Sequence, residues 1–205
     1  MIPAAAGFIF DLDGTLISLP VDWVDLRKQL MSIANVSYEF QPVFQTLEKI
    51  ISERPGLREP LFQKLDEFEL RAAPQAELHE GSAEVLELLG ESCDISLVTM
   101  QGKNVRDYLF RSLNLKNHFS GSFTRDISLD RAKQLELALE DMRLGRKDVV
   151  FVGDRINDLN AAKKVGLRFI LIKGRADDVD PEISYPSMSA LLEVLRSAEP
   201  VKVLQ

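Results

Sequence analysis

The stretch "GFIFDLDGTLISLP", residues 7–20, runs an apolar, strand-like segment straight into two aspartates separated by one leucine, then stops at Gly14 and Thr15. Strands disfavour Asp, and two carboxylates this close repel each other unless a cation lies between them. A strand ending in Asp11 and Asp13 therefore delivers acids to a site, while Leu12 points into the core. Gly14 lets the chain turn away without a side chain blocking that site.

Four further apolar runs read as strands: "DISLVT" ending at Thr99, "GSFT" at 121–124, "DVVFVG" ending at Gly153 and "RFILI" ending at Ile172. Apolar residues near helical spacing predict helices over 82–91, 103–113, 131–143 and 157–165, with Gly166 suited to end the last. Strands alternating with helices imply right-handed crossovers and a parallel sheet covered on both faces, a doubly wound α/β fold. Between the first two strands, residues 21–34, 41–52 and 58–73 look helical, broken at Pro42, Pro55 and Pro60, with only "VSYEF" hinting at a strand. This stretch is too long for an ordinary crossover. It predicts an all-helical insert over 18–79, set into an α/β core domain made of 1–17 and 80–205.

In open α/β sheets the ligand site lies at the carboxyl ends of the strands, where strand order reverses. The first strand ends in Asp11 and Asp13, the second in Thr99, and the fourth in "GDRIND" with Asp154 and Asp158. A sheet of order 3-2-1-4-5 brings these groups into one crevice. Carboxylates gathered this way repel one another when empty, but they are the hard oxygen ligands that Mg²⁺ prefers.

The 205 residues are 45% hydrophobic and 28% charged, with no apolar run approaching a membrane span, so no membrane partner is expected. A formal net charge of -7 argues against nonspecific nucleic-acid binding. The start, "MIPAAAGF", lacks the basic and long apolar regions of a secretory signal. A single cysteine, Cys93, fits a reducing, cytoplasmic compartment, and two histidines make a histidine-based zinc site a poor fit.

Taken together, "DLDGT" at 11–15, the threonine ending "ISLVT", a lysine at the next suitable helix start and "VGDRINDLNAAKKVG" at 152–166 resemble the haloacid dehalogenase-like hydrolase superfamily. The helical insert is similar to the small cap of phosphoglycolate phosphatases, phosphosugar phosphatases and β-phosphoglucomutases. The resemblance implies Mg²⁺-dependent hydrolysis of a small phosphorylated metabolite through an aspartyl-phosphate. Asp11 is then the nucleophile and Asp13 the general acid and later base. Metal falls to Asp11, Asp13, Asp154 and Asp158, with Asp154 in contact and Asp158 in support. Thr99 and the backbone N–H of Met100 are expected to hold phosphoryl oxygens, together with a cation. Lys133 is the choice for that cation, with Arg131 competing because "LDRAKQLEL" departs from the family's lysine-proline pattern. A phosphosugar mutase would share every core residue. A receiver-type signalling module would share the acids, threonine and lysine but not the insert, and a dehalogenase typically lacks the acid at Asp13. Arg54 and Arg58 are candidate readers of the leaving alcohol.

Overall fold

Strand β1 (Gly7–Phe10) lies at the centre of a six-stranded sheet, buried along its whole length. The computed structural model describes residues 5–172 and 183–197; the ends of the predicted core domain, 1–4 and 198–205, and residues 173–182 lie outside them. Around β1 stand β4 (Asp94–Val98), β5 (Gly121–Phe123), β6 (Val149–Gly153), β7 (Arg168–Ile172) and β8 (Ser184–Tyr185). The order is β5-β4-β1-β6-β7-β8 and every pairing is parallel. The first five strands follow the expected 3-2-1-4-5, and β8 adds an edge.

Period-two alternation in β1 sends Phe8 and Phe10 to one apolar layer and Ile9 to the other. The Ile9 layer packs on helices α6 (Arg131–Met142) and α7 (Ile156–Val165). The opposite layer packs on α4 (Ser82–Gly90) and α8 (Met188–Ser197). Helix α5 (Lys103–Ser112) connects β4 to β5. Both faces of the sheet are covered, which is why its strands read as near-continuous apolar runs.

The register places the site. Phe10 pairs with Leu97 on one side and Val152 on the other, so β1, β4 and β6 end level with one another. Asp11, Thr99 and Asp154 follow within two residues of those pairs and emerge at one edge.

The helical stretch after β1 consists of α1 (Trp23–Ala34), α2 (Val43–Glu53) and α3 (Arg58–Ala72). The Asp22 carboxylate caps α1 by accepting the Asp25 N–H at 3.0 Å, and Asn35 ends it in the left-handed region at φ 49°. "VSYEF" forms no strand. The stretch is bounded by a two-stranded antiparallel ladder, β2 (Ile17–Ser18) against β3 (Glu77–Leu78), which brings its start and end together. Strands of two residues have no periodicity to read, so this ladder and β8 escape sequence analysis. Leu26, Leu30, Leu47, Leu61 and Leu65 are fully buried and join the same apolar cluster as Phe8 and Phe10. No helix among the described residues is long and apolar enough to cross a membrane.

Candidate active site

Asp11 is 5% exposed and Asp158 is 3% exposed, so two acids are nearly removed from water. Gly14 makes this crowding possible: at φ +94° it adopts a backbone that L side chains rarely take, and a Cβ there would run into the Asp154 carboxylate. Gly153 does the same on β6, since a Cβ would stand 2.9 Å from the Asp158 side chain. Asp158 in turn accepts the Arg155 N–H at 3.2 Å, fixing the first turn of α7.

Asp11, Asp154 and Asp158 each offer one oxygen within 4.8 Å of the others. The Oδ1 atom of Asp154 is buried and takes no hydrogen bond. Hard oxygen donors with an unsatisfied acceptor among them fit a small divalent cation such as Mg²⁺. Asp13, expected among the ligands, lies outside this group: its carboxylate accepts the Leu19 N–H at 3.0 Å and faces the cleft. Electrostatics reflect the burial. Asp11 is raised well above the carboxylate range by burial, which Arg131 opposes and Asp158, Asp154 and Asp13 reinforce. Asp13 is pushed up to about 6 by burial, against the Leu19 N–H and Arg155. Asp154 also rises to about 6 through burial, with Arg155 opposing, and Asp158 rises for the same first cause, against Arg131.

The cation bonded to Asp11 is Arg131, while Lys133 does not line the cleft. Arg131 donates from Nη2 to Asp11 Oδ1 at 2.7 Å, and its Nε lies 3.1 Å from Asp158 Oδ1. Lys133 points outward from α6, 52% exposed and 3.9 Å from Glu136. The reason is helical phase. Leu135 and Ala138 are buried, and stepping back four and seven residues along that stripe reaches Arg131. That stripe was the available signal. Asp130 fixes the phase by accepting the Ala132 N–H at 2.8 Å.

Thr99 is fully buried and its hydroxyl pairs with the Gln101 side chain, while Met100 and Gln101 line the cleft. Gln134 holds this turn by donating to the Thr99 carbonyl at 3.0 Å. Behind it lies a group with no sequence signature. Arg125, 1% exposed, donates from Nη1 to both carboxylate oxygens of Glu69 at 2.9 and 2.7 Å and to the Met100 carbonyl at 2.7 Å. Its Nη2 also bonds Asp66. One guanidinium thus joins α3 to the turns after β4 and β5. Burial pushes Glu69 up to about 7, with Arg125 opposing. Arg54 and Arg58 stand elsewhere: Arg54 donates to the Ala34 carbonyl at 2.7 Å, and Arg58 to the Asp126 carbonyl at 2.7 Å while covering the Phe62 ring.

These groups open on a cleft of about 380 Å³, with Trp23 and Phe44 on the side of the insert. The sequence profile of the haloacid dehalogenase-like hydrolases matches residues 8–172. The chain belongs to that family. Among solved structures, a hydrolase from Pseudomonas syringae is similar at a TM-score of 0.75 and 20% identity, covering 95% of this chain and 100% of that one. A Lactobacillus plantarum protein assigned as a phosphoglycolate phosphatase is similar at a TM-score of 0.73 and 18% identity, covering 94% and 100%. The HAD-hydrolase YfnB of Bacillus subtilis, solved bound to magnesium, gives 0.65 and 14%, covering 95% and 100%. At such identities these structures share the hydrolase fold alone. Leucine zipper protein 2 of Danio rerio is 27% identical over 128 residues, 62% of this chain and 34% of that protein, so the hydrolase spans about a third of that curated relative.

Proposed function

We propose that this hydrolase removes phosphate from a small phosphomonoester in a Mg²⁺-dependent reaction through a phosphorylated Asp11, with residues 18–79 acting as a cap over the cleft. The observation that carries the reading is the pairing of Asp11 and Asp13 at one strand end, with Arg131 bonded to Asp11 at 2.7 Å. Mg²⁺ would be held by Asp11 and Asp154 with Asp158 behind them, and when bound it supplies positive charge that offsets the phosphoryl oxygens and favours the ionised carboxylate. The magnesium in YfnB is in keeping with this. The reducing setting suggested by Cys93 makes the cytoplasm the expected location.

Arg131 engages Oδ1 of Asp11, leaving Oδ2 to attack phosphorus in line. As the new P–O bond forms, the bond to the leaving oxygen breaks, and Asp13 gives that oxygen its proton. A carboxyl titrating near 6 holds a usable proton fraction at neutral pH, as such a donor must. Asp13 then takes a proton from water, whose oxygen attacks phosphorus and releases inorganic phosphate from Asp11. The backbone N–H of Met100, placed by Arg125 and Gln134, and the Arg131 guanidinium steady the phosphoryl oxygens.

The test is phosphate release from a panel of phosphorylated metabolites with Mg²⁺. Asp11→Asn is expected to abolish it and Asp13→Asn to impair it severely with the fold intact. Wild-type-like turnover by Asp11→Asn, or production of an isomerised sugar phosphate in place of inorganic phosphate, contradicts the reading.

A further inference from the structure

We infer that the leaving alcohol this site accepts carries a positive charge, as in an amino or quaternary-ammonium alcohol, and is not a carboxylate; this rests on the phosphatase reading. Four residues of the insert line the cleft: Trp23, Phe44, Gln45 and Glu48. Trp23 and Phe44 meet edge to face, with ring centroids 6.4 Å apart and planes at 81°. Both are only half-buried, so π surface remains open to the cleft. Glu48 follows Phe44 by four residues on α2, hence on the same side of that helix.

Of the described charged side chains that line the cleft, Asp13 and Glu48 make no ion pair, and Asp13 accepts the Leu19 N–H, which leaves Glu48. Arg131 serves Asp11 and Asp158, Arg155 lies 3.6 Å from Asp154, and Lys164 lies 3.3 Å from Asp130. Among the described residues, Glu48 has no ion pair or hydrogen bond. No lysine or arginine of the insert lines the cleft, and Arg54 and Arg58 are committed to the Ala34 and Asp126 carbonyls. A carboxylate on the leaving group would face an unpaired negative charge across a confined space. An ammonium group would find the opposite: a counter-charge and aromatic surface, the combination by which organic cations are held.

The experiment compares kcat/KM for phosphocholine, phosphoethanolamine and phosphoglycolate with Mg²⁺ present, using p-nitrophenyl phosphate to establish that the protein hydrolyses phosphomonoesters at all. The ammonium esters are expected to exceed phosphoglycolate by about tenfold or more. Glu48→Gln should narrow that ratio and Glu48→Lys should invert it; both change an exposed helix position, where substitution leaves the fold intact. Trp23 is the sole tryptophan, so its fluorescence reports binding independently of turnover. Tighter binding of phosphocholine than of phosphoglycolate supports the inference even if no ester is hydrolysed, an outcome that would reject the phosphatase reading alone. Equal or reversed preference in wild type, or a ratio that Glu48→Lys leaves unmoved, overturns the inference while leaving phosphatase activity standing.

Discussion

In the proposed mechanism Asp11 must be ionised to attack, yet burial and three neighbouring acids work against its charge. That conflict has a pH signature. Asp13 and Asp154 titrate near 6 in the folded protein against an ordinary 3.8, so between those values the folded state binds more protons than the unfolded one. Their contribution to stability is complete below the unfolded value and is lost as pH rises through about 6, each on the order of 1–3 kcal/mol. With a chelator present, the Tm is expected to fall between roughly pH 4 and 6.5, and Asp154→Asn should flatten that fall. Mg²⁺ should raise the Tm more at the upper end of the range than at the lower, because a cation binds the ionised cluster and stabilises by mass action. A Tm indifferent to both pH and Mg²⁺ would contradict the cluster as a cation site. At the same scale, Arg131→Ala is expected to cost on the order of 10² or more in kcat/KM on every substrate, since it removes preorganised charge at Asp11, the proposed nucleophile. Lys133→Ala, altering an exposed side chain, should stay near wild type. Equal losses in the two variants would place the cation elsewhere.

Arg125 works between elements, binding α3 to the turns that follow β4 and β5. Truncating one member of a buried ion group strands the others, so Arg125→Met is expected to destabilise by about 3–5 kcal/mol in urea unfolding. Adding Glu69→Leu should restore part of that, because it removes the fully buried one of the two stranded acids, Asp66 being partly exposed. A double variant no better than the single one would show that the stranded Glu69 charge is not the cause of the loss. Nothing in the sequence reveals this junction: Glu69 and Arg125 lie 56 residues apart, and each reads alone as a solvated charge. The central strands were legible because burial on both faces leaves apolar runs bounded by polar residues, and the first of those polar residues are the acids themselves. The seven helices predicted between residues 21 and 165 end within two residues of their observed limits, because Pro, Asp and Gly mark their ends. Arg131 and Lys133 are two residues apart on one helix, and composition does not tell them apart; only the buried stripe does.

Across the whole molecule, the insert and the sheet share one apolar layer, running from Leu26 and Leu47 through Leu65 to Phe8 and Phe10. An insert without a core of its own should not unfold by itself. Trp23 fluorescence, which reports the insert, and far-ultraviolet dichroism, which reports the whole chain, are therefore expected to give coincident denaturation curves. Two separated transitions would show that the helices after β1 are independently stable. The sequence marks the helices after β1 but not how they are fastened, since the fastenings are made by residues far apart in the chain. They include the β2–β3 ladder, the Arg125 guanidinium on Glu69 and the Arg58 guanidinium on the Asp126 carbonyl. The same contacts that hold the helices also set the distance from Trp23 and Phe44 to Asp11, so damage to the Arg125 junction should be felt in the shape of the cleft as well as in the melting curve.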